Sequence, residues 1–163
     1  MKKLCLGVVL LGVCAAMANG ETITMTTNNQ IKCASPPATI NLTSWQWGSA
    51  AQINPANGLV AKINLSQVVL TKTFDGCTSN MLNAYFDNKK LSTVVIEQTK
   101  VVSGSTVIVA EVTLTNAFFS NYNVGGSTTS PASESWALSF DKICVATYPG
   151  SANSQTVCYS GAS

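Results

Sequence analysis

Alternation between apolar and polar residues, which is typical of half-buried β-strands, recurs along most of this chain. Residues 22–26 read T-I-T-M-T, and residues 62–73 read K-I-N-L-S-Q-V-V-L-T-K-T. Similar segments, rich in β-branched and aromatic residues, cover residues 38–47, 91–99, 107–119 and 135–148. Turn-forming residues separate them, most clearly at residues 54–58, 103–104, 125–127 and 149–150. The pattern predicts a mostly β protein.

One segment departs from this pattern and predicts a short helix. Between residues 80 and 86 the apolar side chains recur at helical spacing and share one face. The residues of this face are Met81, Leu82, Tyr85 and Phe86. Thr78 or Ser79 is predicted to cap the helix N-terminus, because a hydroxyl oxygen there accepts from the free amides of the first turn. Three stretches are predicted to be long loops: residues 48–60, residues 121–133 and the tail after Tyr148.

The N-terminus reads as a secretory signal peptide. Lys2 and Lys3 precede an apolar run of about 13 residues, and small residues follow at positions 16 and 18. The run is too short to span a bilayer as a helix, so no membrane span is predicted. We expect cleavage between Ala18 and Asn19. A lipoprotein modified at Cys14 is the alternative, disfavoured because a bulky residue precedes that cysteine.

Removal of residues 1–18 from the 163 leaves 145 residues, enough for one domain over residues 19–163. Nine basic residues become seven when Lys2 and Lys3 are lost, against seven acidic ones, so the remaining charge is near zero. The chain contains no arginine and no histidine. This composition excludes a typical nucleic-acid-binding surface and predicts a surface of neutral polar groups that repels its own copies weakly.

The sequence carries no recognisable catalytic motif, so we predict no catalytic residue, no metal site and no cofactor. Without histidine the commonest general base and metal ligand is missing. A hydrolase that uses two carboxylates stays open as an alternative, because such pairs need not be close in sequence. The seven carboxylates are Glu21, Asp75, Asp87, Glu97, Glu111, Glu134 and Asp141.

Two tryptophans lie close together in the strand predicted at residues 38–47. Ile40 and Leu42 fall on one face of that strand, and Trp45 and Trp47 fall on the other. We favour the interpretation that one indole packs under the sheet while the other covers a surface between sheets or subunits. A platform on which a sugar ring stacks is the alternative.

Four cysteines remain after signal cleavage, and they predict two disulfides in an oxidising compartment. Three connectivities are possible, but the tail favours one of them. Residues 135–148, the turn at 149–150 and residues 154–159 predict a hairpin in which Cys144 faces Cys158, since facing residues keep a constant index sum. Cys33 and Cys77 are then left for each other.

The order of several segments resembles the Hcp family (hemolysin-coregulated protein), the tube subunit of type VI secretion systems. The resemblance covers roughly residues 40–148 and rests on order more than on any single motif. The segments are S-W-Q-W-G at 44–48, V-V-L-T-K-T-F-D at 68–75, the predicted helix at 79–86, V-T-L-T-N-A-F-F-S-N-Y at 112–122, G-G-S at 125–127 and E-S-W-A-L-S-F-D-K-I at 134–143.

The resemblance implies an antiparallel β-barrel with one helix on its side, and hexameric rings that stack into a tube able to carry effectors. The turn within the loop at residues 48–60 is the candidate interface with a neighbouring subunit or ring; its residues are Asn54, Pro55, Asn57 and Gly58. The signal peptide and the cysteines depart from tube subunits assembled in the cytoplasm. The leading hypothesis is therefore an exported, ring-forming, non-enzymatic relative, and the alternative is a monomeric secreted binding module for a small ligand, sugar or protein.

Overall fold

The computed structural model describes residues 20–33 and 39–161, so Ala18 and Asn19 of the expected cleavage site lie outside the described residues. Within this part of the chain there are eleven strands and one helix, and all strand pairs are antiparallel. The prediction of a mostly β fold with one short helix is confirmed. The elements are β1 (Thr22–Thr26), β2 (Thr39–Leu42), β3 (Ser44–Gln46), β4 (Ser49–Ile53), β5 (Val60–Leu65), β6 (Val68–Thr73), α1 (Thr78–Phe86), β7 (Leu91–Val102), β8 (Ser105–Gly125), β9 (Ser133–Ser139), β10 (Lys142–Thr147) and β11 (Gln155–Ser160).

The main sheet closes on itself through one interrupted strand. Its order is β2-β1-β7-β8-β9-β6-β3, so β2 and β3 lie at opposite ends. Only Thr43 separates these two strands along the chain. The Thr43 amide donates to Thr71 O at 2.8 Å, and the Thr43 hydroxyl lies 2.8 Å from the Thr71 hydroxyl. The chain thereby joins the two ends of the sheet, which makes the architecture a barrel.

The break at Thr43 also changes which positions face the interior. Ile40 and Leu42 are buried, whereas Trp45 lies directly opposite the fully buried Leu70. Trp45 and Leu70 share one face because cross-strand neighbours point the same way. The prediction of one unbroken strand at residues 38–47 is therefore wrong. Trp45 and Trp47 are both half-buried and pack against the core, which confirms a tryptophan under the sheet. That the other indole covers a surface between sheets or subunits stays a prediction.

Strand β8 is long enough to take part in two pairings along the same edge. Its first part pairs with β10 and its last part with β9, while β7 pairs on the other side. The backbone at Asn116 has a positive φ of 54°, and its side-chain amide donates to Asp141 Oδ2 at 2.9 Å. This irregularity lies beside the gap between β9 and β10. The single strand predicted at residues 135–148 is therefore two strands.

The other differences from prediction also come from tertiary pairing. Residues 62–73 form parts of β5 and β6, interrupted at residues 66–67, where the chain turns back into the barrel. The loop predicted at residues 48–60 contains β4, and the loop predicted at residues 121–133 shortens to residues 126–132. In the tail after Tyr148, β11 pairs with β10 as a returning strand.

The helix caps its N-terminus differently from the prediction. Cys77 occupies the N-cap and makes no side-chain capping bond. The Thr78 hydroxyl instead accepts from the Asp75 amide at 3.1 Å and donates to Glu134 Oε1 at 2.8 Å. On the predicted apolar face Met81 is fully buried, but Phe86 is 74% exposed at the helix end. The barrel covers only the first turns of the helix.

A fully buried tryptophan organises the core next to this helix. The Trp136 ring lies 4.3 Å from the Tyr122 ring, 5.0 Å from the Phe119 ring and 6.4 Å from the Tyr85 ring, measured between centroids. Trp136 lies on β9, opposite Leu70 of β6. Aromatic contacts of this kind add to the free energy gained by burying large side chains.

Two opposite charges are buried beside the aromatic cluster. The side chains of Lys72 on β6 and Glu134 on β9 are both 0% exposed, and Lys72 Nζ donates to Glu134 Oε1. The same ammonium donates to Asp75 Oδ1 and to Thr73 O, each at 2.8 Å, and to the Thr78 hydroxyl at 3.3 Å. The ion pair therefore ties β6, β9 and the first residue of the helix together.

The phenol of Tyr122 completes this buried network. Burial raises the pKa of Tyr122 above its ordinary value, and the negative charge of Glu134 raises it further. The phenol donates to Glu134 Oε2 at 3.3 Å. The tyrosine therefore stays neutral and serves as a donor to the carboxylate.

Both disulfides join the cysteines that the sequence pairs. Cys144 and Cys158 are direct cross-strand partners in β10 and β11, with Cα atoms 4.0 Å apart. Cys33 is bonded to Cys77, 44 residues further on, with Cα atoms 4.9 Å apart. The second bond fastens the segment after β1 to the start of the helix.

Candidate self-association surface

A two-stranded sheet extends away from the barrel. It consists of β4, β5 and the residues 54–59 between them, and we call it the arm. Its strands pair from Ser49↔Leu65 to Ile53↔Val60 and with no other strand among the described residues. An isolated two-stranded sheet in water is only marginally stable. Contact with another surface would therefore stabilise the arm.

The four predicted interface residues form the tip of the arm. Asn54 O accepts from the Gly58 amide at 2.8 Å, and Asn54 Oδ1 accepts from the Ala56 amide at 2.9 Å. Asn57 Oδ1 accepts from the Leu59 amide at 3.0 Å. Gly58 has a φ of 68°, a conformation that glycine adopts without strain. Asn54, Pro55, Asn57 and Gly58 are thus brought together as a defined turn.

The sides of the tip are apolar and open to solvent. Ile53 is 62% exposed, Leu59 65% and Val60 57%. Clustered exposed apolar residues mark surfaces that bind other proteins more often than ordinary solvated surface. The turn was predicted from the sequence, but these exposed apolar residues were not. Their signal is present in the sequence, because apolar residues flank the turn on both sides.

The base of the arm is fastened to the barrel. The Gly48 amide donates to the Ser66 hydroxyl at 2.8 Å, and the Ser66 amide donates to Gly48 O at 2.9 Å. The Tyr159 hydroxyl on β11 donates to Ile63 O at 3.2 Å. The first two bonds close the base of the arm, and the third links the arm to β11.

A second apolar surface lies at the other end of the β10–β11 hairpin. It is a groove of about 600 Å³, between the tip of the β7–β8 hairpin and the residues that follow β10. Lys100 Nζ lies 5.8 Å from the centroid of the half-exposed Tyr148 ring. The groove is lined by Lys100, Val102, Thr106, Val107, Ile108, Tyr148, Pro149, Gly150 and Ser151.

The carboxylates are placed mostly in structural roles. Glu134 and Asp75 bind Lys72, and Asp141 accepts from Asn116. Glu97 and Glu111 are direct cross-strand neighbours on β7 and β8. Among the described residues no three of the side chains His, Cys, Asp and Glu are placed to hold a metal ion. In the same part of the chain no helix is long and apolar enough to cross a membrane.

The barrel, its lateral helix and the projecting arm define the class of protein. Residues 20–147 match the family model described as type VI secretion system effector, Hcp. The chain therefore belongs to the Hcp family. No curated protein matches the sequence.

Solved structures share this fold at low sequence identity. Hcp1 from Salmonella typhimurium is 16% identical, with a TM-score of 0.69 over 86% of this chain and 94% of that chain. A type VI secretion system effector from Yersinia pestis is 15% identical, with a TM-score of 0.67 over 85% of this chain and 99% of that chain. The secreted protein Hcp3 from Pseudomonas aeruginosa is 13% identical, with a TM-score of 0.64 over 88% and 98%.

Proposed function

We propose that this protein is an exported, non-enzymatic member of the Hcp family that assembles into rings of about six subunits and acts as a structural or secreted component. The observation that carries the proposal is the arm, whose tip exposes three large apolar side chains beside a hydrogen-bonded turn. Near-zero charge after signal cleavage supports it, because copies of the chain then repel each other weakly.

A ring requires two different surfaces on each subunit, since each copy contacts its neighbours head to tail. The arm supplies one surface, and the groove beside Tyr148 supplies the other. The hydrogen bond from Tyr159 to Ile63 places the arm near the start of β10, whereas Tyr148 directly follows the end of β10. Two apolar surfaces at opposite ends of one hairpin suit a head-to-tail contact between copies.

Replacing Leu59 by aspartate is expected to abolish the ring. The substitution places a carboxylate in the apolar contact, where it loses hydration without gaining a partner. Light scattering coupled to size-exclusion chromatography of the oxidised protein lacking residues 1–18 measures the mass. We expect a mass of about six subunits for the unaltered protein and of one subunit for the variant.

Phe86→Asp on helix α1 is the matched control, because it introduces the same charge at a residue that is 74% exposed outside both surfaces. This control is expected to remain a ring. Tyr148→Asp, which alters the opposite surface, is expected to dissociate the ring as Leu59→Asp does. A monomeric unaltered protein at high concentration would contradict the proposal and favour the monomeric binding module.

Export is tested by the mass of the protein recovered outside the cytoplasm. We expect the precursor to lose 18 residues, so that the chain begins at Asn19, because the N-terminal pattern is that of a secretory signal peptide. Mass spectrometry of the periplasmic and secreted fractions measures this, with the cytoplasmic fraction as its comparison. An intact chain confined to the cytoplasm would contradict the proposal and leave the cysteines in a reducing compartment.

A further inference from the structure

The two disulfides differ in how far they are open to solvent. Cys158 is exposed and Cys144 is half-buried, because β10 lies between β8 and β11 whereas β11 has β10 as its one partner among the described strands. Cys77 is only 8% exposed, and the half-buried Cys33 packs against the hydrophobic core. A dissolved thiol therefore reaches the Cys144–Cys158 bond more readily than the Cys33–Cys77 bond, and exposed disulfides are the ones that exchange with thiols.

The strand that carries Cys158 has few other anchors. Every residue of β11 except Tyr159 is exposed, and the half-buried Tyr159 ring packs against the core. Beyond the pairing with β10, the Tyr159 hydroxyl donates to Ile63 O at 3.2 Å, and the Gly161 amide donates to Asp141 O at 3.2 Å. Because β11 buries little apolar surface, it gains little from the hydrophobic effect. Loss of the disulfide therefore removes a large share of what holds β11 on the barrel.

The start of the helix depends less on its disulfide. The Cys77 amide donates to Asp75 Oδ1 at 2.8 Å, and the same carboxylate oxygen accepts from the buried ammonium of Lys72 at 2.8 Å. Met81, one turn further along the helix, is fully buried. Reduction of the Cys33–Cys77 bond would leave these contacts in place. The two bonds thus differ both in access and in what their reduction sets free.

We propose that the Cys144–Cys158 disulfide is a thiol-exchange site, at which a dithiol reductant reversibly releases β11 from the barrel. A thiolate of the reductant attacks Cys158 Sγ, forms a mixed disulfide and expels the Cys144 thiolate, which takes a proton from water. The second thiolate of the reductant then attacks the reductant's own sulfur in the mixed disulfide and expels the Cys158 thiolate, which is protonated likewise. Two electrons pass to the protein, the reductant becomes a disulfide, and a disulfide oxidant reverses both steps.

Release of β11 changes two neighbouring features. The edge of β10 that pairs with β11 becomes free, and the arm loses the hydrogen bond between Tyr159 and Ile63. Exchange and release need only one copy of the chain. The site therefore goes beyond the proposed ring, and its test does not depend on assembly.

Selective reduction tests the exchange site. The oxidised protein lacking residues 1–18 is treated with increasing dithiothreitol, free thiols are blocked with iodoacetamide, and the peptides are analysed by mass spectrometry. We expect Cys144 and Cys158 to be labelled about tenfold faster than Cys33 and Cys77, or more. Protein unfolded in urea is the control, in which both pairs are expected to be reduced at similar rates because the fold no longer protects either.

Hydrogen–deuterium exchange tests the release. After selective reduction the amides of β11 are expected to exchange about tenfold faster or more, while those of β6 and β7 stay protected. Oxidised glutathione is expected to restore the protection of β11. The variant Cys144→Ser/Cys158→Ser is expected to show the fast exchange without reductant, whereas Cys33→Ser/Cys77→Ser, the matched control, is expected to keep β11 protected.

Three results would overturn the proposal. The first is reduction of both disulfides at equal rates in the folded protein. The second is earlier reduction of the Cys33–Cys77 bond. The third is continued protection of the β11 amides after Cys144 and Cys158 have become free thiols.

Discussion

Replacing Lys72 by methionine is expected to destabilise the fold by about 3–5 kcal/mol, because the change leaves Glu134 buried without its cation. Both side chains are 0% exposed, so water cannot replace the lost ammonium. The remaining donors to the carboxylate, from Thr78 and Tyr122, compensate only in part. Urea denaturation of the purified oxidised protein measures the loss in free energy of unfolding.

The double variant Lys72→Met/Glu134→Gln lacks the ion pair but leaves no unpaired buried carboxylate. Comparing its stability with that of Lys72→Met therefore separates these two effects. It is expected to recover more than half of the loss, since a neutral amide is less costly to bury than an unpaired carboxylate. Lys142→Met, at an exposed position of β10 outside the arm and the groove, is the control and is expected to change stability by less than about 0.5 kcal/mol. Equal stability of Lys72→Met and the unaltered protein would contradict a structural role for the pair.

Removing the Cys33–Cys77 bond by alanine substitution at both positions is expected to cost about 4 kcal/mol, estimated from the unfolded-chain entropy of its 44-residue separation. The Cys144–Cys158 bond closes a separation of 14 residues, and its removal is expected to cost about 3 kcal/mol on the same basis. The first bond also lies next to the Lys72 network, because the Cys77 amide donates to Asp75 Oδ1 at 2.8 Å. Thermal and urea denaturation of the two double-alanine variants measure the difference.

Mapping of unreduced peptides provides the independent check on connectivity. We expect two linked peptides, one containing Cys33 with Cys77 and one containing Cys144 with Cys158. Addition of a reductant to the unaltered protein should lower its stability at least as far as the less stable variant. A peptide linking Cys33 to Cys158 would contradict the antiparallel pairing of β10 and β11.

The alternation of apolar and polar residues predicted the strands well where a strand keeps the same face buried along its whole length. The pairing of Cys144 with Cys158 was predicted from the position of the turn, because the residue numbers of facing residues in an antiparallel pair add up to a constant value. The break at Thr43 could not be predicted this way, because strand-forming residues such as Ile40 and Trp45 stand on both sides of it and no glycine or proline marks it. Only the pairing of β2 with β1 and of β3 with β6 shows that the chain changes neighbours there.

Features formed by residues close together in the sequence could be predicted, whereas features formed by distant residues could not. The arm tip was found because a turn needs particular residues at adjacent positions. The Lys72–Glu134 pair joins residues 62 positions apart, and no local rule predicts such a contact. Its one signal is that Lys72 occupies a core-facing position, two residues after the fully buried Leu70.

Closure of the sheet at Thr43 has a consequence for the order in which the barrel forms. β1 pairs on one side with β2, which follows closely in the chain, but its neighbour on the other side, across Thr24, is Glu97 on β7. β3 likewise pairs with β6, and β6 pairs with β9, which is formed by residues much later in the chain. Contacts between residues so distant in sequence form slowly, because long loops must close first. Until β7 is available to cover its other edge, the β1–β2 pair is therefore a two-stranded sheet, which is only marginally stable by itself.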